Sequence, residues 1–285
     1  MRPFSFYQSD LWVNVRGKPG GDACSCSARC TVCWFLLLAF TFPVAAQEKL
    51  PGITPAVELL DLVMTFHCSF DFGIPHADIA AGKADPVRVE GDVTLVPGRY
   101  GQALLTGKGG ARLAFEMHGN LTLPRPGAVS LWLSPHSWKM PDETDQRGYL
   151  FFFNAGGARG GAFMIERMGF STKIRRADRL LAGFFNFPDI ASVNSGSGAS
   201  RKWRNGEWHL VVVNWDRNGF ALSLDGSPFQ RREFRRPLTE EDFPKANRKR
   251  VFLLGYAGGE QTLIDDFVAY RRPLTQNEAR KLFER

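Results

Sequence analysis

The feature that most constrains the fold is a succession of short apolar or alternating runs over 63–270, separated by glycine, proline, asparagine and aspartate. Runs of this length and spacing, with almost no helical period, are typical of antiparallel sandwiches and barrels. The run 220–224 alternates strictly and places Ala221 and Ser223 opposite three large apolar side chains, which predicts one buried and one wet face. The sequence therefore predicts an all-β sandwich of two antiparallel sheets.

The predicted strands are numerous and short. They lie at 63–71, 91–96, 112–116, 128–134, 149–154, 162–166, 170–174, 181–186, 208–215, 220–224, 251–256 and 262–270. The run 208–215 is apolar on both faces, which is typical of a central strand. Hydrophobic residues make up 44% of the chain and charged residues 23%, a balance that allows a buried core and excludes wholesale disorder.

The last segment has a different pattern. Thr275 and Glu278 have the spacing of a capping box, and Leu282 and Phe283 supply a small apolar face. We therefore expect a short C-terminal helix that closes the domain. A related string at 235–242 predicts a one-turn helix.

The N-terminal segment is built like a secretory signal. Four basic residues precede an apolar run that starts at Cys33 and ends before Pro43, and small residues follow up to Ala46. This order predicts cleavage after Ala46, and the run is shorter than the ~20 residues that span a bilayer. A short membrane anchor or a buried strand is the alternative. We expect a signal segment at 1–46, a linker with a short helix at 47–62 and one domain at 63–285, secreted or otherwise extracytoplasmic, with no stable membrane span.

Basic residues are clustered in the second half of the chain. The clusters lie at 175–176, 231–232, 235–236 and 248–250. Their summed charge predicts attraction of an anionic polymer. The alternative is that they are solvated turns and sheet edges, where charge discourages edge-to-edge pairing.

Short motifs follow one another through the predicted sandwich. They are Phe70-Asp71, VPGRYGQAL at 96–104, AVSLWLSP at 128–135, GEWHLVVVNWD at 206–216, LDG at 224–226 and LIDDFVAYRRPL at 263–274. In this order they resemble the laminin-G-like jelly-roll domains of the concanavalin A-like lectin and glucanase superfamily. The resemblance covers about 63–285.

The resemblance implies a jelly roll of two sheets, one of them concave, with ligands on the concave face or at the loops along its rim. Such domains bind glycans or extracellular proteins, and many carry a structural calcium ion. Some members are glycosidases. Because one fold serves many functions, the choice among these depends on the residues of the site.

Hydrolysis finds little support in the sequence. A retaining glycosidase needs two carboxyl groups ~5 Å apart, and the glucanases of the superfamily place them in Glu-x-Asp-x-Glu or Glu-x-Asp-x-x-Glu motifs. This chain contains neither; Glu143 and Asp145 come closest but lack the second glutamate. We therefore expect no catalytic residues and no enzyme activity.

Calcium is the cofactor that the resemblance implies. Asp71 matches the aspartate of the family's first strand and Asp265 that of its last, while Asp266 stands where the family often has glutamate. Carboxylate oxygens are ligands that calcium prefers, so these three are the predicted metal ligands. The alternative is that they are exposed strand carboxylates or partners for Arg271.

Glycan recognition needs aromatic faces for the apolar side of a sugar. The candidate ligand-binding residues are Trp132, Trp138, Tyr149, Trp203 and Trp215. Core or rim packing is the alternative for each, because large aromatic side chains are mostly buried.

These observations predict a secreted, non-catalytic binding module whose ligand is a glycan or polysaccharide, with an anionic polysaccharide suggested by the arginine clusters. An extracellular structural or adhesive module that binds proteins is the alternative from another class. A divergent glycoside hydrolase is the third. We expect no nucleic-acid partner.

Overall fold

The structure, a computed structural model, describes residues 60–73, 75–121, 123–139, 149–156, 162–168, 179–185, 200, 202–242 and 250–285. The predicted signal segment and nearly all of the predicted linker lie outside these residues, so the boundaries at 46 and 62 stay predictions. The predicted strand at 170–174 also lies outside them. Within the described part of the chain, no helix is long and apolar enough to cross a bilayer.

The described residues form strands and one C-terminal helix. In chain order these are β1 (Met64–Cys68), β2 (Ile79–Ala80), β3 (Arg88–Glu90), β4 (Leu95–Pro97), β5 (Gln102–Thr106), β6 (Arg112–Glu116), β7 (Gly127–Pro135), β8 (Tyr149–Gly156), β9 (Ala162–Met168), β10 (Arg179–Phe185), β11 (His209–Trp215), β12 (Gly219–Leu224), β13 (Gln230–Glu233), β14 (Val251–Leu254), β15 (Thr262–Tyr270) and α1 (Gln276–Glu284).

The strands build two antiparallel sheets. The nine-stranded sheet has the order β13-β12-β11-β7-β15-β1-β2, with β5 pairing β15 and β4 pairing β5. The six-stranded sheet has the order β10-β9-β8-β14-β6-β3. The predicted two-sheet sandwich is confirmed, and β11 is a central strand as its apolar sequence indicates.

Phenylalanine rings fill the space between the sheets. Phe66 on β1 packs edge-on against Phe115 and Phe252, with ring centroids 4.9 and 5.1 Å apart. Phe153 stacks on Phe267 at 5.5 Å. All five are fully buried, and each such side chain contributes roughly 2–3 kcal/mol through the burial of apolar surface.

The C-terminal helix α1 covers the outer face of the nine-stranded sheet. Its predicted capping box is present, since Glu278 N–H donates to Thr275 Oγ1 and Thr275 N–H donates to Glu278 Oε2. Phe283 stacks on Trp132 of β7 with ring centroids 6.0 Å apart. The prediction that Ala221 and Ser223 form a wet face is wrong: they are 6% and 1% exposed, because α1 and the β12–β13 turn cover this face.

The one-turn helix predicted within 235–242 is present as a 3-10 turn at Glu240–Asp242. Thr239 N–H donates to Asp242 Oδ2 at 2.8 Å, so the acidic residue caps its own turn.

The two ends of the sandwich are named after the two ends of β7. At the Pro135 end, Pro135 pairs with Thr262, and β11 begins at His209. At the Gly127 end, Gly127 pairs with Trp215, where β11 stops. The loops of each end come from sequence-distant strands, so the fold decides which charges meet there.

Candidate functional site

The outer face of the six-stranded sheet is the face that α1 does not cover. Phe163 and Ile165 of β9 point into the core, so by strand alternation Met164 and Glu166 point outward. The register places Met164 opposite Asn154 of β8, which in turn lies opposite Leu253 of β14. An amide, a carboxyl group and two apolar side chains therefore share this face.

Glu166 is the unusual member of this group. Its side chain is recessed beside Leu181, its cross-strand neighbour, and the residue is only 4% exposed. No described residue gives its carboxyl group a hydrogen bond or an ion pair. Burial raises the pKa of Glu166 to about 7, because desolvation disfavours the charged form. At neutral pH the group is therefore both a hydrogen-bond donor and an acceptor.

Asn154 and its neighbours complete the face. Asn154, Met164 and Leu253 are all half-buried. An amide offers two donors and an acceptor, and the flanking apolar side chains suit the less polar face of a sugar ring. The arrangement can hold hydroxyl groups without a charged contact.

The described part of this face does not assemble a hydrolytic pair. Glu116 of β6 also points outward, but β9 and β6 are three strands apart in the sheet. Three strand spacings are roughly 14 Å, whereas glycosidase carboxyl groups lie about 5 to 10 Å apart. The outward carboxylate of Glu116 is therefore not within catalytic reach of Glu166.

A buried stack closes the Pro135 end beside Glu166. The Arg167 guanidinium lies 3.9 Å from the centre of the Trp138 ring and pairs with Glu260 at 2.6 Å. Trp138 stacks on Trp203 with ring centroids 5.9 Å apart, and Trp203 stacks on His209 at 4.1 Å. This stack fixes the loops that rim the candidate site.

The structure places the predicted sugar-binding tryptophans in the interior. Trp215 is 1% exposed and belongs to the core between the sheets. Trp132 is 3% exposed beneath Phe283, and Trp138 and Trp203 are 6% and 5% exposed in their stack. Core packing, the alternative given for these residues, therefore describes all four side chains, and their role in sugar binding stays a prediction that this burial does not favour. The side chain of Tyr149 lies outside the described residues, and its role stays a prediction.

The predicted calcium ligands surround the glycine-rich loop at 98–101. Asp71 Oδ1 accepts a hydrogen bond from Gln102 N–H at 2.7 Å. Asp265 is fully buried, and its two oxygens accept from Tyr100 N–H at 3.0 Å and Asp266 N–H at 2.7 Å. Burial raises the pKa of Asp265 to about 7.

The same residues do not form a calcium cage among themselves. Asp266 lies in a bulge of β15 with a positive φ of 45°, and its Oδ1 contacts His67 Nε2 at 2.8 Å. Among the described residues, no group of three or more His, Cys, Asp or Glu side chains is arranged to hold a metal ion. Asp71 and Asp265 instead hold the 98–101 loop through hydrogen bonds. The loop lies so close to Asp71 that a Cβ on Gly101 would be 2.0 Å from Asp71 Oδ1. Calcium binding stays a prediction that this arrangement does not favour.

Comparison with known families agrees with the fold. A family model described as the concanavalin A-like lectin/glucanases superfamily (Laminin_G_3) matches residues 108–280, more than half of the chain. The chain belongs to this superfamily. No curated protein matches it.

Solved structures with this fold include binding domains. Domain 4 of AbnA, a GH43 extracellular arabinanase from Geobacillus stearothermophilus, in complex with arabinotriose, is 18% identical, with a TM-score of 0.52 over 77% of this chain and 98% of that one. The botulinum neurotoxin serotype D binding domain is 12% identical, with a TM-score of 0.56 over 79% of this chain and 52% of that one. The binding domain of neurotoxin DC, in complex with rat synaptotagmin II, is 13% identical, with a TM-score of 0.54 over 79% and 52%. The chain thus spans about half of the toxin domains, and these identities show the fold alone.

Sequence reasoning missed Glu166 as a site residue in this concanavalin A-like domain. The signal was present, because Glu166 is a carboxylate that ends the otherwise apolar run 162–165. What the sequence does not contain is the packing of Leu181 beside it and the absence of a described partner.

Proposed function

We propose that this chain is a non-catalytic carbohydrate-binding domain whose sugar site lies on the outer face of the six-stranded sheet, centred on Glu166 and Asn154. The observation that carries the proposal is the recessed Glu166 carboxyl group, which is 4% exposed and has no partner among the described residues. The carboxyl oxygens of Glu166 are not among the fully buried side-chain atoms that lack a partner. They therefore reach the surface, where a ligand hydroxyl group can donate to them or accept from them.

The fold neighbours support this class of ligand. The arabinanase domain was solved with arabinotriose, and the binding domain of neurotoxin DC was solved in complex with SialylT. The separation of Glu166 from Glu116 supports binding rather than hydrolysis. A hydroxyl-rich neutral sugar suits a carboxyl group whose pKa of about 7 leaves it about half protonated near pH 7.

Export is part of the proposal. The signal-like order of residues 1–46, basic, apolar and then small, supports secretion with cleavage after Ala46. Polysaccharides and glycoproteins are the ligands that such a domain would meet outside the cytoplasm.

The test compares two glutamates on one sheet face. Glu166→Leu keeps the volume and removes the hydrogen bonds, and Glu116→Leu makes the same change three strands away. A glycan array of neutral oligosaccharides identifies the ligand, and calorimetry measures the affinity. We expect Glu166→Leu to weaken binding about tenfold, the effect of losing one or two hydrogen bonds, and Glu116→Leu to have little effect. Equal effects of the two substitutions would reject the site, and no glycan bound by the unaltered chain would reject the function.

Protein binding is the second candidate, favoured by exposed apolar side chains along one side of the sandwich. Phe72 is 77% exposed, and Ile79, Val87 and Val89 on or beside the edge strands β2 and β3 are about 40% exposed. One fold neighbour was solved with rat synaptotagmin II. A chain that binds no glycan but loses binding to an extracellular protein on Val87→Ser and Val89→Ser substitution would support this alternative.

A further inference from the structure

Four exposed cations meet at the Pro135 end of the sandwich although they are far apart in the sequence. They are Lys108, Lys139, Lys202 and Arg204. None of the four side chains forms an ion pair with a described carboxylate. Only Lys202 and Arg204 are close to each other in the sequence. The sequence therefore shows no cluster of basic residues that would predict this surface.

Hydrogen bonds hold the backbones of these loops around the turn that precedes β15. Lys108 C=O accepts from Gln261 Nε2 at 2.7 Å, and Lys139 N–H donates to Glu260 Oε1 at 3.0 Å. Trp138 N–H donates to Asn205 Oδ1 at 2.9 Å, which ties in the loop that carries Arg204. The cations are therefore presented from a fixed framework rather than from a free tail.

The described acidic residues of this end are already engaged. Glu260 pairs with the buried Arg167 at 2.6 Å. Glu207 Oε2 accepts from Arg204 N–H at 2.9 Å and lies 3.8 Å from His209 Nε2. No described carboxylate therefore pairs with any of the four cationic side chains, and summed charge of one sign attracts a polyanion.

Two of the arginines that are clustered in the sequence pair within the protein. Arg231 contacts Asp216 at 2.9 Å and Glu233 at 2.6 Å, and Arg236 contacts Asp242 at 2.7 Å. Their neighbours Arg232 and Arg235 have no described carboxylate partner, and the clusters at 175–176 and 248–249 lie outside the described residues. Only part of the clustered charge is therefore used within the protein, and these two unpaired arginines serve as a comparison for the Pro135 end.

We propose that the Pro135 end binds an anionic polysaccharide through Lys108, Lys139, Lys202 and Arg204. The inference rests on the proposed function for the carbohydrate class of the partner but uses a surface apart from Asn154 and its neighbours. Single-stranded nucleic acid is disfavoured because its binding relies on exposed aromatic rings that stack on bases. The rings beside these cations, Trp138 and Trp203, are 6% and 5% exposed.

The probe is dextran sulfate, with unsulfated dextran as the matched neutral polymer. One variant carries Lys108→Gln, Lys139→Gln, Lys202→Gln and Arg204→Gln. The control variant removes the same net charge elsewhere, through Arg125→Gln, Arg217→Gln, Arg232→Gln and Arg235→Gln, all exposed and without a described carboxylate partner. Calorimetry at two salt concentrations measures binding, and a thermal melt verifies that both variants fold.

We expect dextran sulfate to bind and dextran not to bind, with affinity falling as salt rises. The first variant should lose at least about tenfold in affinity, the combined effect of four modest surface contacts, and the control variant less than about threefold. Equal losses would overturn the proposal, because net charge alone would then explain binding. A single-stranded oligonucleotide that binds more tightly than dextran sulfate and depends on the same four residues would overturn the polysaccharide assignment.

The test of dextran sulfate binding at the Pro135 end can be distinguished from the test of sugar binding at Glu166. The first variant should keep the neutral-glycan affinity that Glu166 confers. Loss of dextran sulfate binding with intact neutral-glycan binding therefore concerns the Pro135 end alone, and the converse concerns the sheet face alone.

Discussion

The two ends of the sandwich differ in how many of their surface cations pair with carboxylates. At the Gly127 end, arginines and carboxylates pair with one another, as Arg231 does with Asp216 and Arg272 does with Glu278. At the Pro135 end, the buried pair of Arg167 and Glu260 is internal, and the surface cations have no described partner. The Gly127 end therefore pairs some of its arginines within the protein, while others such as Arg217 and Arg232 have no described carboxylate partner; at the Pro135 end no described exposed cation has one.

The comparison shows that charge clustering in a sequence is a poor guide to charge available on the surface. Adjacent arginines on an edge strand alternate in direction, so one can pair with a carboxylate across the turn while its neighbour does not. Arg231 reaches Asp216 in this way, fifteen positions earlier in the chain. At the Pro135 end, the unpaired cations come from loops that follow or precede sequence-distant strands.

The largest expected effect is on stability at the Pro135 end. Arg167→Leu removes a guanidinium that is 2% exposed, pairs with Glu260 and covers Trp138. We expect it to lower the free energy of unfolding by about 3 kcal/mol, because it leaves a partly buried carboxylate unpaired. Arg231→Leu, at an exposed pair of the Gly127 end, should cost less than about 1 kcal/mol. Urea unfolding measures both, and an equal cost would remove the distinction between the two ends.

The next largest effect is the dependence of the free energy of unfolding on pH that Glu166 confers. Its pKa is raised by burial to about 7 in the folded protein, so the folded state holds the proton more tightly than the unfolded state. Stability is therefore lost as pH rises from about 4.5 to 7. Glu166→Gln should equal the unaltered protein in stability near pH 5 and exceed it by about 2 kcal/mol at pH 8. Denaturation at the two pH values measures this, and a difference that does not change with pH would contradict it.

At the Gly127 end, the stability that Glu278 contributes should change with pH in the opposite direction. Hydrogen bonding to Arg272 lowers the pKa of Glu278 to about 2, so its contribution is present above pH 4.5 and is lost as pH falls toward 2. Glu278→Gln should cost about 1 kcal/mol or less at pH 7, because solvent screens the pair. The cost should vanish at pH 2, which acid denaturation of the two proteins measures. A cost that persists at pH 2 would mean that Glu278 acts through packing instead.

The smallest expected effect is that of calcium on the melting temperature. The Asp265 carboxylate already accepts two backbone hydrogen bonds, and Asp266 is engaged by His67. We therefore expect the melting temperature to change little between calcium and chelator. A fall of several degrees with chelator, abolished in Asp71→Asn, would establish the three aspartates as ligands.

Local sequence signals predicted most of the fold. The alternation of β12, the two-sided apolar run of β11 and the capping box of α1 each depend on residues within a few positions of one another. Edge strands such as β2, β3 and β13 were not predicted, because they are short or polar and exist through pairing with a neighbour. Register and pairing are non-local properties.

The candidate site was predicted less well for the same reason. Composition identified the tryptophans as candidates but not their neighbours, and Trp132 lies beneath Phe283, which comes from the far end of the chain. Ser223 is buried for a similar reason, since its hydroxyl group donates to Ser227 C=O of the β12–β13 turn and α1 packs against Gly226 of the same turn. Glu166 is distinguished only by burial without a described partner, which the sequence alone does not contain.

The central claim, that the chain binds carbohydrate, is tested most directly by a thermal melt across a panel of neutral and acidic glycans. A ligand that binds only the folded state at 100 times its Kd adds about 2.7 kcal/mol of stability, which raises the melting temperature by roughly 5–10 °C for a domain of this size. We predict such a rise with at least one neutral oligosaccharide, and its loss in Glu166→Leu but not in Glu116→Leu. No rise with any glycan would contradict the account and favour a protein-binding module.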